Sequence, residues 1–326
     1  MGPRTEHPIP VHRRREEGGL PVGDRALRRA VEGGGAIRVA AGCFARRVDW
    51  EGLRPVDRHL VRVLEATARA RTQVVVSHVA AAAVWGIDLL GTWPEHVDVR
   101  IERSSGGRSS GIFRRRAWGL DGVATTAWNG HRVTTPAQTA IDLARMLSFT
   151  GGVVAADQAL WRRRVGGALV DDDQLRETRE QQTAARGDAR VDRTLAFATP
   201  LSDSVRESQS RVVIAALGFP APVLQHPVPL GDGTTAYPDF FFPDFAHAGE
   251  FDGAGKYLDP AMIRGRTPEE VLMAEKDRGD ALRRRVRALS RWRVPALREP
   301  ALLYDILVGD GLPSSRPRPR RGVVWR

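Results

Sequence analysis

The strongest constraint on the fold is the order of helical and strand patterns in the last compact segment, residues 201–312. Ser204 followed three residues later by Glu207 is a capping box that begins a helix, and Gly218 ends that helix. Three strands and a second helix are predicted downstream, at residues 223–230, 235–242 and 250–252 and from Thr267 onward. Helices that alternate with strands in this order predict an α/β (α+β) domain with a mixed sheet flanked by helices.

The first part of the chain predicts a short winged-helix-like piece. Residues 25–31 have a helical pattern, three consecutive glycines from Gly33 make a turn, and residues 37–44 predict a small hairpin. A helix followed by a β-wing is a common layout in DNA-binding proteins, but no helix-turn-helix is recognisable in front of it here. We therefore expect a truncated winged helix within residues 24–70.

A mixed α/β domain is predicted for residues 71–166. Ser77 is a candidate N-cap for an alanine-rich helix that ends at Gly86, residues 97–101 alternate as a strand does, and Thr135 begins a helix in a capping box. The predicted organisation of the whole chain is a disordered basic arm (1–23), the winged-helix-like segment (24–70), the mixed domain (71–166), a linker or helix (167–200), the last domain (201–312) and a disordered arginine- and proline-rich tail (313–326).

The basic composition favours a polyanionic partner. The 326 residues carry a formal net charge of +11, with 48 arginines and only two lysines, Lys256 and Lys276. Such an excess favours nucleic acid or another anionic surface. A base composition that is biased towards arginine codons explains the same numbers, so both interpretations of the charge stay open.

Cysteine content and hydropathy suggest the compartment. The single cysteine, Cys43, excludes an internal disulfide framework and a multi-cysteine zinc site. No run approaches the ~18 apolar residues of a membrane helix, and the first 30 residues lack the apolar stretch of a signal peptide. We expect a cytoplasmic protein that has no membrane partner, and the oligomeric state is left open.

Two carboxylates on neighbouring predicted strands mark the candidate site. Asp239 lies on the second strand and Glu250 on the third, and this separation lets both carboxylates converge at one point. Converging hard oxygens suit Mg²⁺ or Mn²⁺, which can acidify a water molecule and neutralise charge on a phosphate under attack. Lys256 follows Glu250 closely enough to stabilise that charge. Asp252 shares a strand face with Glu250 because successive side chains alternate.

Two helices contribute further candidates. Glu275 and Arg278 share an inward stripe of the last helix, so Glu275 is either a site residue or only the ion-pair partner of Arg278. Glu207 is either a cap for its own helix or a site acid. The sequence leaves both alternatives open.

The separation between Asp239 and the triplet Glu250-Phe251-Asp252 resembles the core of the PD-(D/E)XK nucleases. Linked motifs over residues 200–300 resemble actinobacterial relatives of the very-short-patch-repair endonucleases: Glu207-Ser208, Gly218-Phe219-Pro220, Gln225, Pro238-Asp239-Phe240, Glu250-Phe251-Asp252-Gly253, Lys256-Tyr257 and Glu275-Lys276. The resemblance implies that Glu207, Asp239 and Glu250 are acidic site residues and that Asp252 and Gln225 can join them.

This chain departs from the nuclease pattern at one position. The lysine that the superfamily usually carries two residues after the glutamate is Asp252 here. Either Lys256 or Lys276 replaces that lysine, or the activity has been lost.

The middle of the chain resembles the AbiEi antitoxin family of abortive-infection systems. The motifs that carry this resemblance are Ser77-His78, Trp85-Gly86, Thr134-Thr135-Pro136, Asp142-Leu143-Ala144-Arg145 and Ala156-Asp157. The resemblance implies a transcriptional regulator that acts on DNA, with a cognate toxin as a second partner.

The two resemblances together imply a fusion protein. We expect a Mg²⁺- or Mn²⁺-dependent DNA endonuclease joined to a regulatory or antitoxin domain, acting in DNA repair or phage defence with DNA and a toxin or repair protein as partners. The alternative is a non-catalytic DNA-binding regulator or antitoxin whose nuclease domain is degenerate. A pure interaction module of a toxin–antitoxin pair is a third possibility.

Overall fold

The computed structural model describes residues 2–13, 24–103, 111–183, 185–231, 233–253 and 267–320, without the side chains at 24, 25, 268, 269, 271, 272 and 275. The chain folds into two compact units, Met1–Pro200 and Leu201–Arg326. Both units combine helices with sheets, which confirms the predicted α/β (α+β) class.

The first unit is built on a five-stranded sheet. Its described helices are α1 (Asp24–Glu32), α2 (Arg47–Gly52), α3 (Pro55–Thr67), α4 (His78–Trp85), α5 (Pro136–Met146), α6 (Phe149–Leu160), α7 (Asp172–Glu180) and α8 (Asp188–Phe197). Its described strands are β1 (His12–Arg13), β2 (Ala36–Ala40), β3 (Cys43–Arg46), β4 (Val75–Val76), β5 (Val97–Arg100), β6 (Phe113–Arg116), β7 (Thr125–Trp128) and β8 (His131–Thr134). The sheet order is β6-β5-β4-β8-β7, and its pairs are both parallel and antiparallel.

An alanine-rich helix fills the centre of this unit. Every residue of α4 is buried, and the helix packs against α3 and α5. It ends at Gly86 as predicted, where a φ of 69° is a left-handed conformation that suits glycine. Ser77 precedes the helix but does not cap it, because its hydroxyl is hydrogen-bonded to Nδ1 of His78 at 2.8 Å.

The winged-helix-like piece has the predicted helix and hairpin, as α1 followed by the antiparallel pair β2 and β3. A third strand, β1, pairs with β3 and makes this a three-stranded sheet in the order β1-β3-β2. That strand comes from the segment that the composition predicted to be a disordered arm.

The expectation of a disordered arm is wrong for residues 2–13. The Arg4 amide donates to the Val84 carbonyl at 2.9 Å, and the Trp128 indole donates to the Arg4 carbonyl at 2.8 Å. The Arg4 guanidinium also pairs with Asp57 at 2.6 Å. The arginine-rich composition predicted a solvated segment, but its arginines pair with buried or half-buried carboxylates. Residue 1 and residues 14–23 lie outside the described residues.

Residues 167–200 were expected to form a linker or one helix, and instead they form two helices of the first unit. Asp171 and Gln174 make a capping box at the start of α7, and both α7 and α8 pack against α5. Arg145 at the end of α5 pairs with Asp188 at the start of α8 at 2.7 Å. This segment, the winged-helix-like piece and the middle domain therefore belong to one compact unit.

The second unit places a small mixed sheet beside helices. Its described helices are α9 (Val205–Ala216), α10 (Pro268–Arg283), α11 (Val294–Arg298) and α12 (Pro300–Gly309). Its described strands are β9 (Val228–Pro229), β10 (Thr235–Ala236), β11 (Phe240–Phe242), β12 (His247–Phe251) and β13 (Ala288–Trp292). The central sheet has the order β11-β12-β13, with β12 antiparallel to β11 and parallel to β13.

Two predicted strands have different limits in the structure. The strand expected over residues 223–230 is reduced to β9 and a single bridge between Val223 and Phe241. Gln225 interrupts it with a φ of 55°, and the prolines around it cannot donate to a ladder. The third predicted strand is β12, which begins earlier than expected and ends just before Asp252.

The core of the second unit ties the sheet to α9. Phe240 and Trp292 pack with ring centroids 5.1 Å apart, and the Trp292 indole donates to the Ser210 hydroxyl at 2.9 Å. Gly249 leaves room for this indole, since a Cβ there would come within 2.8 Å of the Trp292 ring. Residues on α9 and on the central sheet are therefore held in fixed relation.

The expectation of a disordered tail is wrong for residues 313–320. The Ser315 amide donates to the Gly218 carbonyl at 3.0 Å, and Arg318 pairs with Asp305 at 2.6 Å. Residues 321–326 lie outside the described residues. No helix in the described parts of either unit is long and apolar enough to cross a membrane.

Candidate functional site

Glu250 lies on β12, and Asp239 lies directly before the adjacent strand β11, rather than within it as the sequence predicted. Asp239 directly precedes β11, whose first residue, Phe240, pairs with Gly249 of β12. Across this pairing the Asp239 carboxylate accepts a hydrogen bond from the Phe251 amide at 2.8 Å. The bond anchors Asp239 at the end of β12, on the backbone of the residue that follows Glu250 in the chain.

Glu207 joins Asp239 from the first turn of α9. Its amide donates to the Ser204 hydroxyl at 3.1 Å, and its carboxylate accepts from the Asp203 amide at 2.8 Å. The side chain is buried, and burial together with the negative charge of Asp239 raises the pKa of Glu207 to about 7. Glu207 thus takes part in the cap of its own helix, which is one of the two predicted alternatives, and its carboxyl group is also close enough to Asp239 for the two charges to interact.

Glu250 is held by two arginines. Arg278 on α10 donates to one carboxylate oxygen at 3.0 Å, and Nε of Arg291 on β13 donates to the other at 3.0 Å. Arg291 stands directly opposite Glu250 in the parallel register of β12 and β13. Gly279 lies close by, where a Cβ would come within 2.5 Å of the Arg291 guanidinium. Both oxygens of a predicted metal ligand thus take part in ion pairs.

Asp252 also pairs with an arginine, which lies two residues after Arg291 in the chain. Nε of Arg293 donates to its carboxylate at 2.9 Å, while the Asp252 amide donates to the Trp292 carbonyl at 2.8 Å. Because side chains alternate along a strand, Glu250 and Asp252 face the same way as Arg291 and Arg293. Asp252, which replaces the usual lysine of the nuclease pattern, is engaged in a half-exposed ion pair.

Gln225 contacts the site through a residue that the sequence analysis missed. Its side-chain amide donates to the Asp203 carboxylate at 3.0 Å, and Asp203 in turn precedes the cap of α9. The side-chain oxygen of Gln225 is buried and has no hydrogen-bond partner within the described part of the chain. The signal that could have identified Asp203 in the sequence is an acid directly before the predicted N-cap, Ser204.

The remaining predicted residues are not brought to this cluster by described contacts. Lys256 lies outside the described residues, as does the side chain of Glu275. Lys276 is exposed on α10. The arginines that take the place next to Glu250, Arg278 and Arg291, were not predicted as site residues.

A hard divalent cation requires oxygen ligands. Carboxylate oxygens are suitable ligands, and Mg²⁺ typically takes one or two carboxylates with water completing its shell. Glu207 and Asp239 are neighbouring carboxylates, because the charge of Asp239 raises the pKa of Glu207, whereas both oxygens of Glu250 are engaged by arginines. Among the described residues, no cluster of three or more His, Cys, Asp or Glu side chains is arranged around one point. A cation at this place would be bound by Glu207 and Asp239 rather than by the predicted pair of Asp239 and Glu250.

The known proteins to which this chain is similar are described as uncharacterized. No protein-family model matches the chain. Two proteins of Mycobacterium tuberculosis strains, the uncharacterized proteins MT2308 and Rv2248, are each 28% identical to it over 193 residues. The matched region is 57% of this chain and 66% of theirs, slightly less than two thirds of their length.

Proposed function

We propose that the second unit is a Mg²⁺- or Mn²⁺-dependent phosphodiesterase that acts on DNA, in line with the resemblance to very-short-patch-repair endonucleases. The observation that carries this proposal is the electrostatic pairing of the buried Glu207, on the first turn of α9, with Asp239, which the Phe251 amide holds at the end of β12. Two neighbouring acids, one of them buried with a raised pKa, are characteristic of functional sites because such an arrangement costs stability.

Each acid has a distinct role in this proposal. Glu207 and Asp239 would hold the divalent ion, which when bound supplies an acidified water and neutralises charge on the phosphate. The Phe251 amide orients Asp239, and the Asp203 amide orients Glu207. Glu250 would not bind the ion itself, but would position the two arginines with which it pairs.

Two arginines take the role of the missing lysine. Arg278 and Arg291 converge on Glu250 from α10 and β13, and their side chains are 33% and 41% exposed. A guanidinium binds a phosphate through two parallel hydrogen bonds and keeps its charge at any physiological pH. We propose that these guanidiniums stabilise the charge that develops on the scissile phosphate.

The test is cleavage of supercoiled plasmid in Mg²⁺ or Mn²⁺ by the full chain. Asp239→Ala and Glu207→Gln should abolish nicking, whereas Asp244→Ala should not, because Asp244 is an exposed carboxylate just after β11. Equal nicking by wild type and Asp239→Ala would reject the proposed site, because a contaminating nuclease would then explain the activity.

A specific observation favours a second candidate, a non-catalytic DNA-binding regulator or antitoxin. Both oxygens of Glu250 are ion-paired, as they would be in a site that has exchanged metal binding for internal charge balance. If wild type binds DNA without nicking it, and if Asp239→Ala binds equally well, this second function replaces the first. A cytoplasmic location and a partner toxin or repair protein belong to either proposal.

A further inference from the structure

The first unit contains a cavity of about 580 Å³ that is separate from the acidic site. It lies between the residues that follow β5 and β6, the end of α5 and the turn before α8. Five arginines and one tryptophan contribute to its wall, and we call it the arginine pocket: Arg100, Arg103, Trp118, Arg145, Arg186 and Arg190. Its volume is within the range of pockets that bind small molecules.

Two of these arginines are structural, and their charges are compensated. Arg100 is buried and donates to both oxygens of Asp142 at 2.8 and 2.9 Å. Arg145 is nearly as buried and pairs with Asp188 at 2.7 Å. These ion pairs fix the rear wall of the pocket, because each joins elements that are more than 40 residues apart in the chain.

The other three arginines carry charge that is not compensated by nearby acids. Nε of Arg103 donates to the Trp118 carbonyl at 3.3 Å, and Arg190 donates to the Leu147 carbonyl at 2.6 Å, so both contact neutral groups. Within the described residues, Arg103, Arg186 and Arg190 have no carboxylate at salt-bridge distance, and Asp121 is the only carboxylate that lines the pocket. The wall therefore carries an excess of positive charge in a concave site, which focuses the field on an anion.

The chemistry of the wall indicates the kind of anion. Guanidinium groups match the oxygens of a phosphate, and a half-buried tryptophan offers an aromatic surface to a base. Trp118 is held in place by an edge contact with His78, with ring centroids 4.4 Å apart. We propose that the arginine pocket binds the phosphate and the base of a nucleotide, either a free mononucleotide or one residue of a nucleic-acid strand. This site is independent of the proposed nuclease, because all its residues belong to the first unit.

Calorimetric titration of the full chain tests the proposal, in the presence of a metal chelator so that no strand is cut. The probes are AMP, adenosine, inorganic phosphate and a short single-stranded DNA. The pocket variant is the double substitution Arg103→Gln with Arg186→Gln, which changes two exposed residues. The matched control is Arg38→Gln with Arg132→Gln, which removes the same charge from exposed positions of the same unit that do not line the pocket.

We expect AMP to bind at least tenfold more tightly than phosphate or adenosine, and the pocket variant to bind it at least tenfold more weakly while the control changes less than twofold. Binding of the DNA strand but not of AMP, with the same pattern in the variants, would support the strand-bound form of the nucleotide. Equal weakening in both double variants would mean that only overall charge matters, and it would overturn the proposal. Absence of binding of every probe to wild type, or phosphate binding as tightly as AMP, would also overturn it.

Discussion

Arg291 lies directly opposite Glu250 in the parallel register of β12 and β13, and its guanidinium contacts the Glu250 carboxylate at 2.9 Å. Glu250 is buried, so it depends on its arginines for the interactions that water would otherwise supply. We predict that Arg291→Gln lowers the free energy of unfolding by about 1–2 kcal/mol, a modest loss because Arg291 is half-exposed and Arg278 remains in place. Urea denaturation measures this change. Arg293→Gln is the matched control, and its more exposed pair with Asp252 should change stability by less than about 0.5 kcal/mol.

Glu207 should make the protein less stable as the pH rises. Its pKa in the folded state is raised to about 7 by burial and by Asp239, so the unfolded chain releases this proton at lower pH than the folded chain does. The resulting decrease in the free energy of unfolding is absent below pH ~4.5 and complete above pH ~7. The stability of Glu207→Gln relative to wild type should therefore increase by about 1–3 kcal/mol as the pH rises from about 5 to about 8. Glu270→Gln, at the same capping position of α10 but exposed, should show no such gain.

Glu65 should give the opposite dependence in the first unit. Burial alone would raise its pKa, but hydrogen bonds from His7 and Arg13 and the charges of Arg13 and Arg69 lower the pKa to about 2. The stabilisation of the fold by the charged Glu65 is complete above pH ~4.5 and is lost as the pH falls towards 2. Glu65→Gln should lose about 3 kcal/mol of stability at neutral pH and less at low pH, as chemical denaturation at several pH values would measure. An unchanged difference across that range would contradict the role of the Glu65 charge. Glu51→Gln, an exposed glutamate, is the control.

Gly249 should tolerate no side chain. A methyl group there would meet the Trp292 ring at 2.8 Å, and the ring is fixed by its bond to Ser210. We predict that Gly249→Ala lowers the free energy of unfolding by about 1–3 kcal/mol, and with it the melting temperature. Gly309→Ala has nothing within 4 Å of the added carbon and should be nearly neutral. Equal melting temperatures for both variants would contradict the close packing on which the position of α9 depends.

Elements with local signals could be predicted from the sequence. Thr135 accepts a hydrogen bond from the Gln138 amide at the start of α5, and Thr267 with Glu270 forms a capping box at the start of α10. Caps and turns depend on residues three or four positions apart, so a single sequence contains the whole signal. The nearness of Asp239 to Glu250 was predictable for the same reason, since a short connection joins their strands.

Long-range pairing could not be predicted. Arg291 is 41 residues beyond Glu250, and their contact depends on the register of a parallel pair that no local pattern sets. With 48 arginines in the chain, no single one stands out as the partner of a given acid. The basic arm was misread for a related reason, because Arg4 and Arg13 look solvated in the sequence until Asp57 and Glu65 are brought to them.

The bond between the Trp128 indole and the Arg4 carbonyl also bears on how the chain is made. The two residues are 124 positions apart, so the ribosome releases Arg4 long before the strand that receives it exists. Closing so large a loop is slow compared with forming local helices. The first unit can therefore acquire its helices, and the Arg4 contacts with Asp57 and Val84, during synthesis, whereas the hydrogen bond to Trp128 that completes the docking of Arg4 forms only after β7 has emerged.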